Sequence, residues 1–448
     1  MSCRGLLLVL LAVACDPGAP GGGDAGDPTV DGGSPDPYGC SPVFDAALLP
    51  DYRVTISARE YDAMWDEFVN WEAREAAGLE RNPYHPIQFQ WQDSNEIDAM
   101  IRLKGSTSWK YAVELDDPPK MQFVISFNEV DPEARFMGLR KIELDMPRND
   151  RTYLRQRLAL AALRELGVPA ECSNSARLFI NGDYYGLYAA LEREDKEFLQ
   201  RIWPGADEGV LLEAGRDPEA NDENMDQSRV DLLWAVQSAD DMTAMIDVDQ
   251  TLREWAGEAL VNNFDGYYGG HPNYFVYDHP HNGFTWVPHD LDATWDYGDV
   301  TLSPVYPVRD RNVALHYRLV MNDPVWVERY LDDLAELHAS MDVHAQQERV
   351  DDWTAQIREA AETDPNRPFT VELYRQETAR LRQSIADHCD FLDAWFACHA
   401  AGTGADADGD GVPFCAECDD HDPDSFPGAD EDCNQLDDDC DGLIDEGC

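Results

Sequence analysis

Apolar and polar residues alternate along several segments in the first two thirds of the chain. In segment 120–127 every second residue from Met121 onward is apolar, which is the spacing of a strand with one buried face. The dipeptide Asn181-Gly182 separates two more such runs, and Asn-Gly is a strong signal for a hairpin turn. Strands are therefore predicted at 52–56, 101–104, 120–127, 176–180, 184–191, 274–277 and 284–287.

Helical spacing interrupts this pattern and then dominates the second half. One apolar stripe between Asp150 and Gly167 predicts a helix that the aspartate caps and the glycine ends. Ser57 and Glu60 form a capping box for an earlier helix. The sequence therefore predicts an α+β protein with a β-rich N-terminal half and a helical C-terminal half, a two-lobed arrangement that suits a ligand in its cleft. Further helices are predicted at 192–203, 230–240, 248–264, 324–341 and 371–399.

The N-terminus has the pattern of an export signal. Arg4 precedes an apolar run at 5–14, which is too short to span a bilayer stably. The run ends in Ala-Val-Ala-Cys, which resembles a bacterial lipobox, so Cys15 is predicted to carry a lipid; ordinary cleavage and release is the alternative. Segment 16–41 is rich in Gly, Pro and Asp and predicts a flexible linker.

Composition narrows the class of partner. The 448 residues carry a formal net charge of −55, which argues against nucleic acid because phosphates need Lys and Arg. The charge fits an exported protein that holds hard cations, although it could serve solubility alone. Eleven cysteines favour an oxidising compartment. Without Cys3 and Cys15 an odd number remains, so one thiol is predicted to stay unpaired or to pair between molecules.

Candidate chemistry is concentrated in segment 262–297. Asp265 in a Phe-Asp-Gly turn comes first, Asn273 second, and Asp290 follows a predicted hairpin. Kinase-type phosphotransferases place their base, amide metal ligand and metal-binding aspartate in this order. Oxygen ligands of this kind suit Mg²⁺. Solvated turn acids are the alternative, and the histidines at 271, 279 and 281 are predicted to be solvated as well.

Two lysines are candidates for binding nucleotide phosphates. Lys104 ends one predicted strand and is followed by the small-residue loop at Ser106, whose backbone amides could contact phosphates. Lys120 opens the next predicted strand. An exposed lysine at a strand end is the alternative interpretation of either residue.

These segments together resemble the CotH family of atypical secreted protein kinases. The resemblance covers roughly 52–395. It rests on the order and spacing of RLKGSTS at 102–108, LGVPA at 166–170, INGDYYGLY at 180–188, NFDG at 263–266 and WVPHDLD at 286–292. It implies a protein-kinase-like fold and transfer of the ATP γ-phosphoryl group to hydroxyls of a protein substrate.

The resemblance also implies roles for single residues. Lys120 would contact the nucleotide phosphates, with Lys104 as the second candidate. Asp265 would orient and deprotonate the acceptor hydroxyl, or help to bind the metal. Asn273 would be the amide ligand, and Asp290 with Asp292 would hold Mg²⁺ or Mn²⁺.

Two positions depart from the family pattern. Pro272 interrupts the run before Asn273, and His289 stands where the family tends to have Trp. These departures leave a second hypothesis open, in which the body is a catalytically inactive relative. The protein would then be a surface adhesion or structural protein that contacts wall or matrix through its tail.

The tail from Gly402 is predicted to be a separate calcium-binding module. It contains many acids, five cysteines and no Lys or Arg, and its aspartates recur at alternate positions before a glycine. It resembles the MopE-like and thrombospondin type 3-like repeats of secreted proteins, whose sparse core is replaced by Ca²⁺ and disulfides; a disordered acidic tail is the alternative. The predicted Ca²⁺ ligands are Asp406, Asp408, Asp410, Glu417, Asp437, Asp439, Asp441 and Asp445.

The sequence thus predicts an exported protein kinase, anchored by lipid at the bacterial cell envelope or secreted. Its predicted parts are a signal peptide at 1–15, a linker at 16–41, a kinase domain at 42–401 and a calcium-binding repeat at 402–448. ATP, Mg²⁺ or Mn²⁺, and Ca²⁺ are the expected cofactors, and the protein substrate is not identified.

Overall fold

The computed structural model describes residues 38–105, 107–116, 118–146, 148–295, 301–308 and 310–448, without the side chains of 107–109. The predicted signal peptide with Cys15, most of the predicted linker and Ser106 lie outside the described residues.

Seven strands of the N-terminal half close into a barrel. The order around the barrel is β1-β2-β3-β4-β5-β7-β6, and the parallel pair β1–β6 closes it while the other pairs are antiparallel. Buried and less buried residues alternate along β2 and β3, as expected for strands with one face in a core. The strands are β1 (Asp51–Ile56), β2 (His85–Trp91), β3 (Ile97–Leu103), β4 (Phe123–Ser126), β5 (Lys141–Asp145), β6 (Ser173–Ile180) and β7 (Asp183–Glu192).

A second sheet, with strand order β11-β10-β8-β9, belongs to the part of the chain that follows the barrel. Its edge strand β11 and the neighbouring strand β10 form an antiparallel hairpin that is buried along almost its whole length. The strands are β8 (Val210–Glu213), β9 (Asp217–Ala220), β10 (Tyr274–His279) and β11 (Gly283–Pro288).

Helices pack against strands of both sheets and form most of the C-terminal half. They are α1 (Ala58–Val69), α2 (Trp71–Ala76), α3 (Thr107–Leu115), α4 (Arg155–Glu165), α5 (Lys196–Ile202), α6 (Gln227–Leu233), α7 (Ala239–Thr243), α8 (Val248–Leu260), α9 (Leu315–Met321), α10 (Trp326–Ser340), α11 (Val343–Thr363) and α12 (Val371–Ala401). Among the described residues, no helix is both long and apolar enough to cross a bilayer.

Helix α8 positions the segment that carries the candidate acids. Asp247 caps its N-terminus, and the helix packs on β11 and α10. Its residues are almost entirely buried from Thr251 onward, so it is fixed from more than one side. The helix ends because Asn262 adopts a positive φ of 53°, a conformation that cannot continue a right-handed helix.

The predicted α+β class, with a β-rich N-terminal half and a helical C-terminal half, is confirmed. The Asn181-Gly182 turn is also present, with φ of 53° and 92°. The helix predicted from Asp150 begins only at Arg155, because Tyr153 has a positive φ of 61°. Asp150 nevertheless satisfies a backbone donor of the first turn, since its Oδ2 accepts from the Arg155 amide at 2.7 Å.

Other local predictions need correction. The single helix predicted at 230–240 is two short helices, α6 and α7, because Ser238 caps a new helix start. The small-residue segment after Gly105 begins helix α3 instead of forming only a turn. Helix α11 was not predicted at all.

The tail has no regular helix or strand in its described residues and is held by covalent links. Cys398–Cys415 joins it to α12, and Cys418–Cys440 and Cys433–Cys448 lie within it. The fourth disulfide, Cys40–Cys172, ties the start of the described chain to β6. Cys389 stays outside these four bonds, in line with the odd cysteine count, and its Sγ lies 3.6 Å from His338 Nδ1.

Candidate functional site

Asp265 lies in the short loop between α8 and β10, and two neighbouring side chains hold its carboxylate. Asn273 Nδ2 donates to Asp265 Oδ2 at 2.8 Å, and His271 Nδ1 lies 3.0 Å from Asp265 Oδ1. The structure therefore brings together two of the predicted site residues, Asp265 and Asn273. It corrects the expectation for His271, which is paired with the candidate base instead of being solvated.

A buried glutamate fixes the loop before Asp265. Glu258 Oε1 accepts from Asn263 Nδ2 at 2.9 Å, and Glu258 Oε2 accepts from the Tyr268 amide at 3.3 Å. Burial raises the pKa of Glu258 to about 8. Gly266 leaves room for this carboxyl, because a Cβ there would lie 2.0 Å from Glu258 Oε1. Sequence reasoning missed Glu258, although a glutamate on the apolar face of a predicted helix was a usable signal.

Asp290 and Asp292 stand on a sharp turn directly after β11. Asp290 has a left-handed backbone, with φ of 54° and ψ of 66°, and a 3₁₀ turn at Leu291–Ala293 follows it. A non-glycine residue in this conformation is uncommon and is typical of constrained functional sites. The buried residues Leu291 and Ala293 hold the turn, so the two aspartates project from a rigid base.

The electrostatics of Asp292 show how many acids converge here. Burial raises its pKa well above the usual value, and the charges of Asp290, Asp150, Asp265 and Asp145 raise it further, in that order. One of its oxygens, Oδ1, is buried and has no hydrogen-bond partner among the described residues. A buried carboxylate oxygen without a partner is costly, so this acid cluster is chemically suited to a cation. We refer to these five aspartates as the acid cluster.

The geometry bears on which cation fits. The acid cluster is not one of the groups whose ligand atoms all lie within 4.8 Å of one another among the described residues. Among the described residues, the compact group next to this turn is instead Glu171, Glu194 and His289. Mg²⁺ is usually held by one or two carboxylates, with waters and substrate phosphates completing its shell, so a pair such as Asp290 and Asp292 would supply enough protein ligands.

Lys104 is the lysine that the structure places at the acid cluster. Its Nζ donates to Asp145 Oδ1 at 2.6 Å and lies 2.9 Å from Glu143 Oε2. Burial opposes its charge, yet Asp145, Glu143 and Asp290 together hold the pKa of Lys104 well above its usual value. Burial in turn raises the pKa of Asp145 to about 6, with Lys104 working in the opposite direction.

Lys120 is not brought to the acid cluster. Its Nζ is fully buried and donates to Asp364 Oδ2 and to the Leu187 carbonyl, both at 2.7 Å. Burial lowers the pKa of Lys120, with Asp364 opposing that change. Asp364 also accepts from Tyr153 Oη at 3.0 Å. Lys120 thus pins the end of α11 to β7, and the charged groups that influence it belong to 364–367.

His289 belongs to a buried group beside the turn. Its Nδ1 lies 2.5 Å from Glu194 Oε1 and 3.3 Å from Glu171 Oε1. Burial lowers the pKa of His289, but Glu194 and Glu171 together hold it well above the usual value. This imidazole, whose charged form the two carboxylates favour, lies directly before Asp290 and packs edge-on against Phe275 with ring centres 4.9 Å apart.

The tail loops bring most of the predicted Ca²⁺ ligands together. Ligand atoms of Asp406, Asp408 and Asp410 lie within 4.8 Å of one another, and so do those of Asp437, Asp439 and Asp441. Asp445 instead accepts from the Gln435 amide at 3.0 Å. Both carboxylate oxygens of Glu417 and the Oδ2 atoms of Asp408 and Asp410 are buried without hydrogen-bond partners in the described chain, which fits a divalent cation in the first loop.

The pKa shifts of the tail acids agree with that geometry. Burial raises the pKa of Glu417 to about 8, and the charges of Asp410 and Asp408 add to the effect. Burial raises the pKa of Asp437 to about 7, with Asp441 and Asp439 contributing. Each loop therefore holds more negative charge than its own surroundings neutralise.

Comparisons with known proteins agree with this division of the chain. Residues 418–446 match the MopE family model, which describes a metal-binding motif. The inner spore coat protein H of Bacillus subtilis is 27% identical over 231 residues, covering 45% of this chain and 60% of that protein. The chain therefore matches less than two thirds of that relative's length.

A second family model, described as CotH kinase protein, matches residues 101–395. This region contains Lys104, the hairpin of β6 and β7, and every member of the acid cluster. Because the match covers more than half of the 448 residues, the protein belongs to the CotH kinase protein family.

Proposed function

We propose that the protein transfers the γ-phosphoryl group of ATP to hydroxyl groups of a protein substrate, at a site formed by the acid cluster and Lys104. In this proposal the barrel with Lys104 and the helical part with Asp265 and Asp290 correspond to the two lobes of a protein kinase. Membership of the CotH kinase protein family supports the proposal.

The observation that carries it is the state of Asp292. Burial and then the charges of four other aspartates raise its pKa, and its Oδ1 is buried without a partner in the described chain. Such a concentration of acids is unfavourable unless a cation binds. The charge of Asp290 helps to raise the pKa of Lys104, so Lys104 supplies one positive charge beside the site, but one charge does not balance five carboxylates.

The side chains would divide the work of the reaction among them. Asp265 would accept the proton of the attacking hydroxyl, and Asn273 and His271 hold its carboxylate in one orientation. The Lys104 ammonium would contact nucleotide phosphates, and Asp145 and Glu143 hold it as a glutamate holds the nucleotide lysine of protein kinases.

Asp290 and Asp292 would hold the metal ion. Their place on a rigid turn fixes the position of their oxygens before substrate arrives. When bound, Mg²⁺ or Mn²⁺ neutralises phosphate charge and orients the phosphoryl group.

We further propose that the protein works outside the cytoplasm, with Cys15 as its lipid anchor and the tail as a Ca²⁺-binding module. A relative that is named as a spore coat protein supports a surface location. The four disulfides support an oxidising compartment.

Phosphoryl transfer can be tested with the full-length protein, γ-labelled ATP and Mg²⁺ or Mn²⁺. We expect label on the protein or on an added Ser-rich acceptor, and a loss on the order of 10²-fold in Asp290→Asn, since one preorganised electrostatic contact is worth about that much. Asp332→Asn is the matched control, because Asp332 is an exposed acid on α10.

The outcome separates the proposal from an adhesion protein with an inactive body. Label that persists in Asp290→Asn would contradict the assignment of the metal site. Absence of both label and calorimetric ATP binding in the unmodified protein would favour the adhesion hypothesis, in which the tail is the functional part.

A further inference from the structure

The second acid loop of the tail, Asp437–Asp441, lies against the body of the protein. Three hydrogen bonds join the two parts. The Val313 amide donates to the Gly442 carbonyl at 2.9 Å, the Ile444 amide donates to Asn312 Oδ1 at 2.9 Å, and Asn322 Nδ2 donates to the Asp441 carbonyl at 2.6 Å. We call residues 311–322 of the body the docking segment.

The packing at Gly442 is close enough to require glycine. Its φ is 87°, and a Cβ there would lie 2.8 Å from the Arg318 side chain and 3.1 Å from Val313 Cβ. The backbone that contacts the docking segment therefore belongs to the same tight turn that carries the candidate metal ligands. Asp437 Oδ2 accepts from the Gly442 amide at 2.9 Å, which ties a ligand directly to that backbone.

The docking segment continues directly into the support of Asp265. Arg311 precedes Asn312, and its Nη1 hydrogen-bonds to His271 Nε2. Since the guanidinium can only donate, Nε2 accepts and the proton of a neutral imidazole is on Nδ1. That proton points to Asp265 Oδ1, 3.0 Å away. Arg311 and His271 thus form a two-residue bridge from the docking segment to the candidate base.

Two further contacts brace the same loop from the docking segment. A Cβ on Gly270 would lie 3.2 Å from the Asn312 carbonyl and 3.4 Å from Arg311 Cδ. Tyr267 Oη lies 2.6 Å from His316 Nδ1 at the start of α9. The loop that presents Asp265 therefore rests on the docking segment along much of its length.

We infer that divalent cation binding in the second tail loop fixes the docking segment, and that Arg311 and His271 are positioning residues that transmit this to Asp265. The effect on catalysis rests on the proposed function. The structural coupling between the tail loop and residues 262–273 is independent of the proposed function. The cation would be one of the Ca²⁺ type, because every candidate ligand side chain in the loop is a carboxylate.

Hydrogen exchange of the full-length protein, with Ca²⁺ or with a chelator, tests the coupling without any use of activity. We expect Ca²⁺ to slow amide exchange in the tail, in the docking segment and in residues 262–273. Linkage limits this slowing to about a hundredfold when Ca²⁺ is a hundred times its dissociation constant. Asp439→Asn should abolish the slowing at the docking segment and at 262–273.

Asp408→Asn is the matched comparison, because the hydrogen bonds of the first acid loop stay within the tail. It should leave the response of the body to Ca²⁺ intact. The inference is overturned if Ca²⁺ protects only the tail, if it protects nothing, or if Asp408→Asn and Asp439→Asn change the body equally.

Kinetics then test the positioning role. Arg311→Ala should lower kcat roughly tenfold to a hundredfold through misplacement of Asp265, with the KM for ATP unchanged and the response of kcat to Ca²⁺ lost. Arg311→Lys should retain part of the kcat and part of its response to Ca²⁺. A raised KM with unchanged kcat would contradict the role.

The two sets of results distinguish the failures. If amide exchange responds to Ca²⁺ as expected but the protein transfers no phosphate, the proposed function is refuted and the coupling is supported. If the protein transfers phosphate but amide exchange in the body does not change with Ca²⁺, the proposed function is supported and the coupling is refuted.

Discussion

The acid cluster of the body and the acid loops of the tail present the same oxygen chemistry but are held in place by different means. The turn at Asp290 follows a buried hairpin and is flanked by the buried residues Trp286 and Trp295. The tail buries little apolar surface and relies on Cys418–Cys440 and Cys433–Cys448. The core thus fixes the acids of the body, whereas we expect disulfides and bound cations to fix those of the tail.

The difference extends to the positive charges. Lys104 lies at the acid cluster, whereas the tail has no Lys or Arg at all. A site with a lysine beside its acids can accept both a cation and phosphate oxygens. A site with acids alone suits a cation that stays bound. The comparison teaches that acid-rich composition alone does not separate the proposed reactive site from the proposed structural one, whereas the supporting residues do.

For the acid cluster of the body, the question is whether Lys104 or Lys120 acts at the site. Substituting these lysines should give the largest effect. Lys104→Met should reduce phosphoryl transfer on the order of 10²-fold, because a preorganised charge at the phosphates is lost. Lys120→Met should instead lower the free energy of unfolding by about 3–5 kcal/mol, because Asp364 would remain buried without its partner. Label transfer and urea denaturation measure the two effects.

Lys196→Met is the matched control for both lysines, because Lys196 forms an exposed ion pair with Glu223 at 3.2 Å. Loss of this ion pair should lower the free energy of unfolding by no more than about 1 kcal/mol. A fully stable Lys120→Met protein that no longer transfers phosphate would reverse the assignment of the two lysines.

For the acid loops of the tail we expect a smaller effect, a melting temperature that depends on pH. Without cations, the raised pKa values of Glu417, about 8, and Asp437, about 7, favour the protonated carboxyls in the folded tail. The stability linked to these groups is complete below the pKa values of the unfolded chain and is lost as pH rises through about 7 to 8. In chelator, the tail should therefore melt at lower temperature at pH 8 than at pH 5.

Differential scanning calorimetry measures this change. In saturating Ca²⁺ the tail should instead melt at higher temperature at pH 8 than at pH 5, because ionised carboxylates bind the cation. Glu417→Gln should reduce the pH dependence in chelator. A tail that melts at the same temperature at both pH values in chelator would show that its acids are fixed without cations, as in the body.

Sequence reasoning found elements whose signals are local. The Asn181-Gly182 hairpin, the Ser57 cap and the order of Asp265, Asn273 and Asp290 can each be recognised within short windows. The class of fold followed from periodicity alone. The acid loops of the tail were equally clear, because their spacing is set by a single turn of chain.

Contacts between distant segments could not be predicted in this way. Lys120 pairs with Asp364, 244 residues away, and nothing near Lys120 signals that partner. His271 contacts Arg311 only through the fold, and Glu258 reaches the Asp265 loop only because α8 ends just before Asn262. The closed barrel likewise depends on the parallel pairing of β1 with β6, which no local pattern indicates.

The central claim is that the acid cluster binds a nucleotide with its metal. The most direct measurement is a crystal structure of the protein with Mn²⁺ and a non-hydrolysable ATP analogue, in which anomalous scattering locates the metal. We expect a Mn²⁺ peak contacting Asp290 and Asp292, with the phosphates of the analogue within reach of Lys104. Mn²⁺ in the tail loops alone, with no nucleotide beside Lys104, would contradict the account.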